Sequence, residues 1–329
     1  MRLTESTVVD YLQARGVLAP GSDATVEILV GGVSSDVLAV TARGTDVVVK
    51  QSLERLRVAA EWHAPPERIL TEAAALRLAG GIAPDDVPPV LDVDPGNLAL
   101  VIGRASRDVR VWKADLLAGR VDAGLGRRVG RVLGRIHQGS VAGRDTLADF
   151  DRRVFEILRI GPYHRTVAER HPDVAAAVDD AVRGLLGDPI CLVHGDFSPK
   201  NILVSDERIS VLDWEVAHAG HPVFDLAFLI SHLVLKGVHR PTAMAAYRVC
   251  AEQFLAGYRE TAGALAVIAE RGLGLQLACL LLARVDGKSP VEYLDEEQRD
   301  RTRVLARQLL GCRDVQPADV WSRFEDSDE

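Results

Sequence analysis

The chain has 329 residues, which is long enough to bury a substantial core in two domains or in two lobes that share a cleft. Its net charge of −8 offers no broad basic surface, so nucleic acid is not an expected partner. The longest apolar stretch, residues 273–285, is too short and too polar to cross a bilayer, and no secretory signal is visible. The cysteines form no C-x-x-C pair. We therefore expect a cytoplasmic globular protein with neither a membrane nor a nucleic-acid partner.

The first part of the chain alternates short apolar runs with turns, which predicts an antiparallel meander of strands at 26–30, 36–41 and 47–50. A helix is expected at 66–79, since Pro65-Pro66 stand at its start and Gly80-Gly81 follow its end. Two more strands are expected at 90–93 and 98–102.

Helical periodicity dominates after Gly103, at 122–138, 147–159 and 172–186 and again from residue 223 onward. One segment, 190–215, interrupts it with short strands and loops. We predict an α+β fold with a small, antiparallel β-rich lobe, residues 1–103, that ends in a hinge, and a larger helical lobe, residues 104–329.

The most specific pattern lies in a polar loop between two apolar strands. The loop carries His194-Gly195-Asp196 and, five positions after the aspartate, Asn201, while Asp213 follows the next apolar strand. Each residue alone is consistent with a turn cap or a strand end, but the combined spacing H-G-D-x-x-x-x-N with a later Asp is far more specific.

A turn at 205–208 predicts a hairpin in which Asn201 and Asp213 are diagonal neighbours beside the loop of Asp196. Phosphoryl transfer from a nucleotide needs such a set: a carboxylate that orients and deprotonates the hydroxyl, and hard oxygen ligands for Mg²⁺. We therefore assign Asp196 as the catalytic base and Asn201 and Asp213 as metal ligands.

The candidate nucleotide-binding residues lie in the first lobe. Lys50 ends a run of valines, and Glu72 lies on the apolar face of the predicted helix, where a carboxylate needs a cationic partner. We expect the two to pair. The remaining candidates are the turn residues Gly31, Gly32, Ser34 and Ser35, predicted to cover the phosphates, and Val101 and Gly103 near the hinge. A plain hairpin turn is the alternative for the glycine-rich segment.

Two other enzyme classes have weaker support. Gly287-Lys288-Ser289 resembles part of a P-loop, but that motif needs a glycine where Leu282 stands. A metal hydrolase is the second alternative, because several histidines crowd into one segment: His194, His218, His221, His232 and His239. No E-x-x-H or C-x-x-C partner accompanies them.

Taken together, these residues resemble the protein-kinase-like superfamily of small-molecule kinases, which includes aminoglycoside phosphotransferases, choline kinases and methylthioribose kinases. The resemblance covers most of the chain. It rests on the loop from His194 to Asn201, on Asp213-Trp214-Glu215, and on residues 220–227, where it implies that Asp225 braces the catalytic loop. Residues 50–72, with Arg68 among them, are similar to methylthioribose kinases, whereas 197–201 has the commoner phosphotransferase form.

The resemblance implies ATP or GTP and Mg²⁺ as cofactors and a small-molecule hydroxyl, of a sugar or amino-sugar-like metabolite, as the acceptor. An aminoglycoside-type resistance enzyme and a catalytically silent nucleotide-binding regulator are the alternatives. The charges of the helical lobe nearly balance without the acidic end at 325–329, which favours a neutral acceptor over a polycationic one. A monomer or a homodimer is expected, and Lys200, Glu215 and Asp286 have no assigned role.

Overall fold

The structure is a computed structural model that describes residues 1–29, 35–53, 64–141 and 147–326. Two compact units divide the chain, Met1–Val109 with Ser205–Val216 and Arg110–Val204 with Ala217–Glu329. No helix in the described ranges is long and apolar enough to cross a membrane.

The elements follow in chain order: α1 (Val8–Ala14), β1 (Ala24–Ile28), β2 (Ser35–Ala42), β3 (Thr45–Ser52), α2 (Arg68–Ile82), β4 (Val90–Asp94), β5 (Ala99–Gly103), β6 (Arg110–Val111), α3 (Trp112–Leu117), α4 (Ala123–Val141), α5 (Arg153–Phe155), a π-helix (Glu156–Arg165), α6 (Thr166–Arg170), α7 (Ala175–Leu185), β7 (Cys191–Val193), β8 (Ile202–Val204), β9 (Ile209–Val211), β10 (His218–Gly220), α8 (Val223–His239), a 3₁₀ turn (Pro241–Ala243), α9 (Met244–Ala262), α10 (Leu265–Ala269), α11 (Leu273–Asp286), α12 (Glu296–Leu310) and α13 (Pro317–Asp326).

The first unit is built on a five-stranded antiparallel sheet in the order β1-β2-β3-β5-β4, which confirms the predicted meander. One face of the sheet packs its buried residues, including Val47, Val49 and Val101, against α1. Side chains alternate between the two faces of a strand, so Lys50 lies on the opposite face, where α2 contacts β3 and β5.

Helix α2 ends later than the glycines predict. It continues through Gly80-Gly81 to Ile82, and the amide of Ala83 still donates to the carbonyl of Ala79 at 2.7 Å. A helical glycine costs about 1 kcal/mol relative to alanine, a penalty that burial of Ala79 and Ala83 offsets. The prediction of a helix was right, and the predicted end of that helix at residue 79 was wrong.

The second unit is helical, as expected after Gly103. Its longest helices, α4 and α9, approach closely, because a Cβ atom at Gly130 would lie 2.0 Å from the carbonyl oxygen of Phe254. Short strands interrupt the helices, with β7 paired to β10 and β6 paired to β8.

The helix predicted at 147–159 begins later, at Arg153, whose amide donates to the Asp151 side chain at 2.8 Å. It then continues as a π-helix through Arg165. The Asp151 side chain thus binds the backbone at the start of the helix, which apolar periodicity placed too early.

Candidate active site

Lys50 is the centre of a buried ion-pair network in the first unit. Its Nζ lies 2.6 and 2.8 Å from the two carboxylate oxygens of Glu72 and 3.1 Å from Oδ1 of Asp213. Lys50 and Glu72 are both buried, and the expected pairing of the two residues is present. The fold thus joins a strand, a helix and the segment after β9 through three side chains that are far apart in sequence.

The ionisable groups of this network shift one another's pKa values. Burial alone would lower the pKa of Lys50, but the carboxylates of Glu72, Asp213 and Glu215 raise it above its usual range. Burial raises the pKa of Glu72, while the Lys50 ammonium lowers it. Because Lys50 holds its proton firmly, it remains a cation at neutral pH.

Asp213 has a left-handed backbone conformation, with φ of 68°, which a non-glycine residue rarely adopts. The neighbouring Trp214 is fully buried, and its indole nitrogen donates to the carbonyl of Val211 at 3.1 Å. Strained residues of this kind persist where the surroundings fix them, which is common at functional sites. The anchored tryptophan is therefore one support for the orientation of Asp213.

Arg68 and Glu215 form a second buried ion pair in the same unit, with Nε of Arg68 at 2.9 Å from Oε2 of Glu215. The same guanidinium also donates to the backbone carbonyls of Leu53, Ala64 and Pro65. Sequence reasoning gave Glu215 no role. One sequence feature could have pointed to a charged partner here. Arg68 and Glu72 are four residues apart, so they lie on the same face of α2.

In the second unit, Asp196 lies in the loop after β7 with almost all of its surface buried. Its Oδ1 is 2.9 Å from the Arg159 guanidinium, and its Oδ2 is 2.8 Å from Nζ of Lys200. The side-chain nitrogen Nδ2 of Asn201 donates to Oδ2 of Asp196 at 2.8 Å and to the backbone carbonyl of Asp196 at 3.0 Å. The structure therefore brings Asp196 and Asn201 together and adds two cations.

Burial would raise the pKa of Asp196, but Arg159 and Lys200 hold it well below its usual range. The carboxylate is therefore ionised at neutral pH and can accept a hydrogen bond from a hydroxyl group. Sequence reasoning missed Arg159. It lies in the π-helix, where the α-helical spacing used for the prediction does not apply.

Asp225, at the start of α8, fixes the backbone of the loop that carries Asp196. Its carboxylate accepts hydrogen bonds from the amides of His194 at 2.7 Å and Gly195 at 2.9 Å, and it lies 3.2 Å from Nε2 of His137. Gly195 has φ of 76°, a conformation that favours glycine. These contacts match the bracing role that the family resemblance implied for Asp225.

Asn201 and Asp213 are also suited chemically to Mg²⁺. Both hydrogen bonds of the Asn201 side chain to described residues use its nitrogen, which leaves the amide oxygen as the atom for a cation. Asp213 offers a carboxylate, and Mg²⁺ prefers such oxygen ligands. The residues present thus fit the ion, and the expected adjacency of Asn201 and Asp213 stays a prediction.

The crowded histidines do not form a metal centre in the described parts of the chain, where no group of three or more His, Cys, Asp or Glu side chains is placed to hold an ion. His218 stacks on Phe155 with ring centroids 4.0 Å apart, and His232 meets Phe228 edge-on at 5.2 Å. Their packing against aromatic rings gives the metal-hydrolase alternative no structural support.

The other predicted nucleotide contacts have mixed placements. Gly31, Gly32 and Ser34 lie outside the described residues. Ser35 is buried at the start of β2, and its Oγ has no hydrogen-bond partner among the described residues. The Val101 side chain belongs to the core beneath α1. Gly103 packs against Pro89, whose Cγ would lie 2.8 Å from an added Cβ.

Asp286 belongs to a structural ion pair, because Arg303 donates to its two carboxylate oxygens at 2.7 and 2.9 Å. His171 adds a third contact at 2.8 Å. This residue, like Glu215 with Arg68, is thus held by cations of the protein itself.

Comparison with known proteins agrees with this description. A sequence model of the phosphotransferase enzyme family matches residues 25–265. Methylthioribose kinase of Geobacillus thermodenitrificans (strain NG80-2) is 23% identical over 222 residues, which cover 59% of this chain and 56% of the relative. Methylthioribose kinase 1 of Oryza sativa subsp. japonica is 24% identical over 267 residues, covering 71% and 62%. The matches thus span less than two thirds of the length of these relatives.

Solved structures share the fold. An amicoumacin kinase in complex with AMP-PNP and Ca²⁺ has a TM-score of 0.59 at 16% identity, covering 96% of each chain. Choline kinase from Cryptosporidium parvum Iowa II has a TM-score of 0.58 at 9% identity, covering 93% of this chain and 95% of that one. The predicted kinase-like α+β fold is confirmed.

Proposed function

This chain belongs to the phosphotransferase enzyme family, and on that premise we propose that it transfers the γ-phosphoryl group of ATP or GTP to a hydroxyl group of a small molecule. The observation that carries the proposal is the network in which Lys50 binds both Glu72 and Asp213. Protein kinases use a strand lysine, held by a helix glutamate, that neutralises nucleotide phosphates.

In this proposal Lys50 contacts the nucleotide phosphates and Glu72 holds its ammonium group in place. The glycine-rich turn, with Gly31, Gly32, Ser34 and Ser35, covers the phosphates. Val101 and Gly103 would lie next to the nucleobase, with Gly103 at the end of β5. We assign nucleotide binding to residues 1–103 and acceptor binding to residues 104–329.

Asn201 and Asp213 would hold Mg²⁺ through their oxygen atoms. When bound, the ion would offset the negative charge of the phosphates and of the transition state.

Asp196 orients the acceptor hydroxyl and receives its proton. As the hydroxyl oxygen bonds to the γ-phosphorus, the bond from that phosphorus to the β–γ bridging oxygen breaks, and the nucleoside diphosphate leaves. Because Arg159 and Lys200 lower its pKa, Asp196 is a weak base. Its main contribution is therefore to position the hydroxyl, and the proton moves to it late in the reaction.

The acceptor class is proposed as a sugar or amino-sugar-like metabolite, which the similarity to methylthioribose kinases supports. An aminoglycoside acceptor is less well supported, since the side chains bound to Asp196 are themselves cationic. A silent nucleotide-binding regulator is also less well supported, because the chain retains Lys50, Glu72, Asp196, Asn201 and Asp213.

The proposal is tested by measuring release of nucleoside diphosphate and transfer of labelled phosphate from ATP and GTP over a panel of acceptors. The panel contains simple sugars, methylthioribose, choline and kanamycin. Magnesium-dependent transfer to at least one hydroxyl compound is expected. Nucleotide binding without any transfer would favour the regulator, and a kcat/KM highest for kanamycin would favour the resistance enzyme.

A further inference from the structure

A chain of aromatic and cationic contacts extends from Asp196 into the second unit. The Arg159 guanidinium, which binds Asp196, lies 5.7 Å from the centre of the Tyr163 ring. Arg284 of α11 lies 5.8 Å from the same ring, and its Nη1 donates to the Tyr163 hydroxyl at 3.2 Å. One tyrosine ring therefore connects the environment of the catalytic carboxylate to a second arginine.

Lys236 of α8 is a second buried cation in this region, with 1% of its surface exposed. Its Nζ donates to the backbone carbonyl of His232 at 3.3 Å and lies 5.2 Å from the centre of the Tyr293 ring. Burial, together with the charges of Lys113 and Arg284, lowers the pKa of Lys236 to about 7. These cations are close enough to repel one another.

The donors of this region are incompletely satisfied. Nε of Arg284 and the hydroxyl of Tyr293 are buried with no hydrogen-bond partner among the described residues. Arg284 is 9% exposed, and its Nη1 bonds go to neutral oxygens, those of Tyr163 and Ser289. Within the described ranges, neither Lys236 nor Arg284 has a carboxylate at ion-pair distance.

Glu292, whose charge acts on both Lys236 and Arg284, is already paired with Lys113 at 2.5 Å. The backbone amide of Lys113 donates to the carbonyl of Pro199, which places this pair next to the catalytic loop. Among the described residues around Asp196, cations outnumber carboxylates: Lys113, Arg159, Lys200, Lys236 and Arg284 stand against Asp196, Asp225 and Glu292.

Buried cations without anionic partners are costly, so a fold that keeps two of them side by side is expected to use them. We propose that Lys236, Arg284 and Tyr293, here called the basic cluster, bind an anionic group of the acceptor, a carboxylate or a phosphate monoester. The proposal rests on the proposed function and specifies the acceptor of the same site as an anionic hydroxy compound. This acceptor takes the place of the neutral one expected from the overall charge balance and of an amino-sugar.

The anion supplies the negative charge and the hydrogen-bond acceptors that the basic cluster lacks among the described residues. Its oxygens accept from Nε of Arg284, the ammonium of Lys236 and the Tyr293 hydroxyl, and its charge offsets theirs. The opposite charge on a polycationic acceptor would meet repulsion from the same side chains.

Binding is tested on the full chain with a saturating, non-hydrolysable ATP analogue and Mg²⁺, so that the nucleotide phosphate positions are filled. The probes are glycerol, glycerate and glycerol 3-phosphate, which differ in the anion, and binding is read as the ligand-dependent rise in Tm and by calorimetry. Saturable binding of glycerate or glycerol 3-phosphate, at least tenfold tighter than that of glycerol, is expected. The stronger of the two identifies the anion.

Lys236→Met and Arg284→Gln are each expected to weaken anion binding about tenfold or more, since each removes a charge-assisted hydrogen bond. Lys236→Arg keeps the charge and should retain most of the affinity, and Arg323→Gln on α13 is the matched control. Affinity for the ATP analogue reports folding and tests the proposed function separately. Equal affinity for glycerol and both anions, or anion binding unchanged in the Met and Gln variants, would overturn the assignment.

Discussion

The pairing of Lys50 with Glu72 allows a quantitative test of the first unit. We consider Lys50→Met, Glu72→Leu and the double variant. In the single Lys50 variant, Glu72 loses the one cation that binds it among the described residues, while remaining fully buried. Removing one partner of a buried pair costs about 3–5 kcal/mol in free energy of unfolding.

Glu72→Leu should be milder, at about 2–3 kcal/mol, because Asp213 still lies 3.1 Å from the Lys50 ammonium. The double variant leaves neither charge of the pair buried. Its loss should therefore fall short of the sum of the single losses by about 1–3 kcal/mol.

The loss in free energy of unfolding caused by Lys50→Met, here called the deficit, should also depend on pH. Without Lys50, the ammonium that lowers the pKa of Glu72 is gone, so burial keeps this pKa above its unfolded value. A carboxyl whose pKa is raised on folding is tolerated in its protonated form at low pH and destabilises the fold as pH rises. The deficit should grow between pH 5 and pH 8, whereas that of the double variant should not.

The assay is urea unfolding at pH 5 and pH 8, followed by tryptophan fluorescence, with kcat/KM measured in parallel. Losses that add within about 0.5 kcal/mol would mean that the two side chains do not interact. A Lys50→Met deficit that shrinks as pH rises would contradict the pKa argument.

Four further variants test separate parts of the account. Asp196→Asn should lower kcat by several orders of magnitude and leave nucleotide affinity nearly unchanged, because the carboxylate acts on the hydroxyl; activity within tenfold of wild type would refute its role. Asn201→Ala and Asp213→Ala should each raise the Mg²⁺ concentration needed for half-maximal activity, and titrations that overlay the wild-type curve would exclude them as ligands. Lys236→Met should raise the free energy of unfolding by at least about 1 kcal/mol at pH 7, since the buried ammonium binds its proton less tightly than in the unfolded chain. That gain should shrink as pH rises toward 10, and a gain that increases with pH would contradict it.

The parts of the site that could be predicted depend on local patterns. Lys50 ends a run of valines, and Glu72 is a carboxylate on an apolar helix face, which implied a cationic partner such as Lys50. The loop from His194 to Asn201 is short enough for its spacing to fix which groups meet, as the hydrogen bonds from Asn201 to Asp196 show.

The parts that could not be predicted come from contacts distant in sequence or from irregular backbone. Arg159 reaches Asp196 from a π-helix, whose spacing departs from the 3.6-residue period that the sequence pattern assumes. Tyr163 and Arg284 meet across 121 positions, so no local pattern joins them. The basic cluster is visible only after the helices have packed.

The central claim, transfer of a phosphoryl group to a hydroxyl, is tested most directly by ³¹P NMR of the nucleotide's products. The protein is incubated with ATP, Mg²⁺ and a mixture of neutral, cationic and anionic hydroxy compounds, with Asp196→Asn as the control. The account predicts a new phosphate-ester resonance that grows as ADP forms and is absent with the variant. ATP that stays intact, or that yields only ADP and inorganic phosphate, would contradict it.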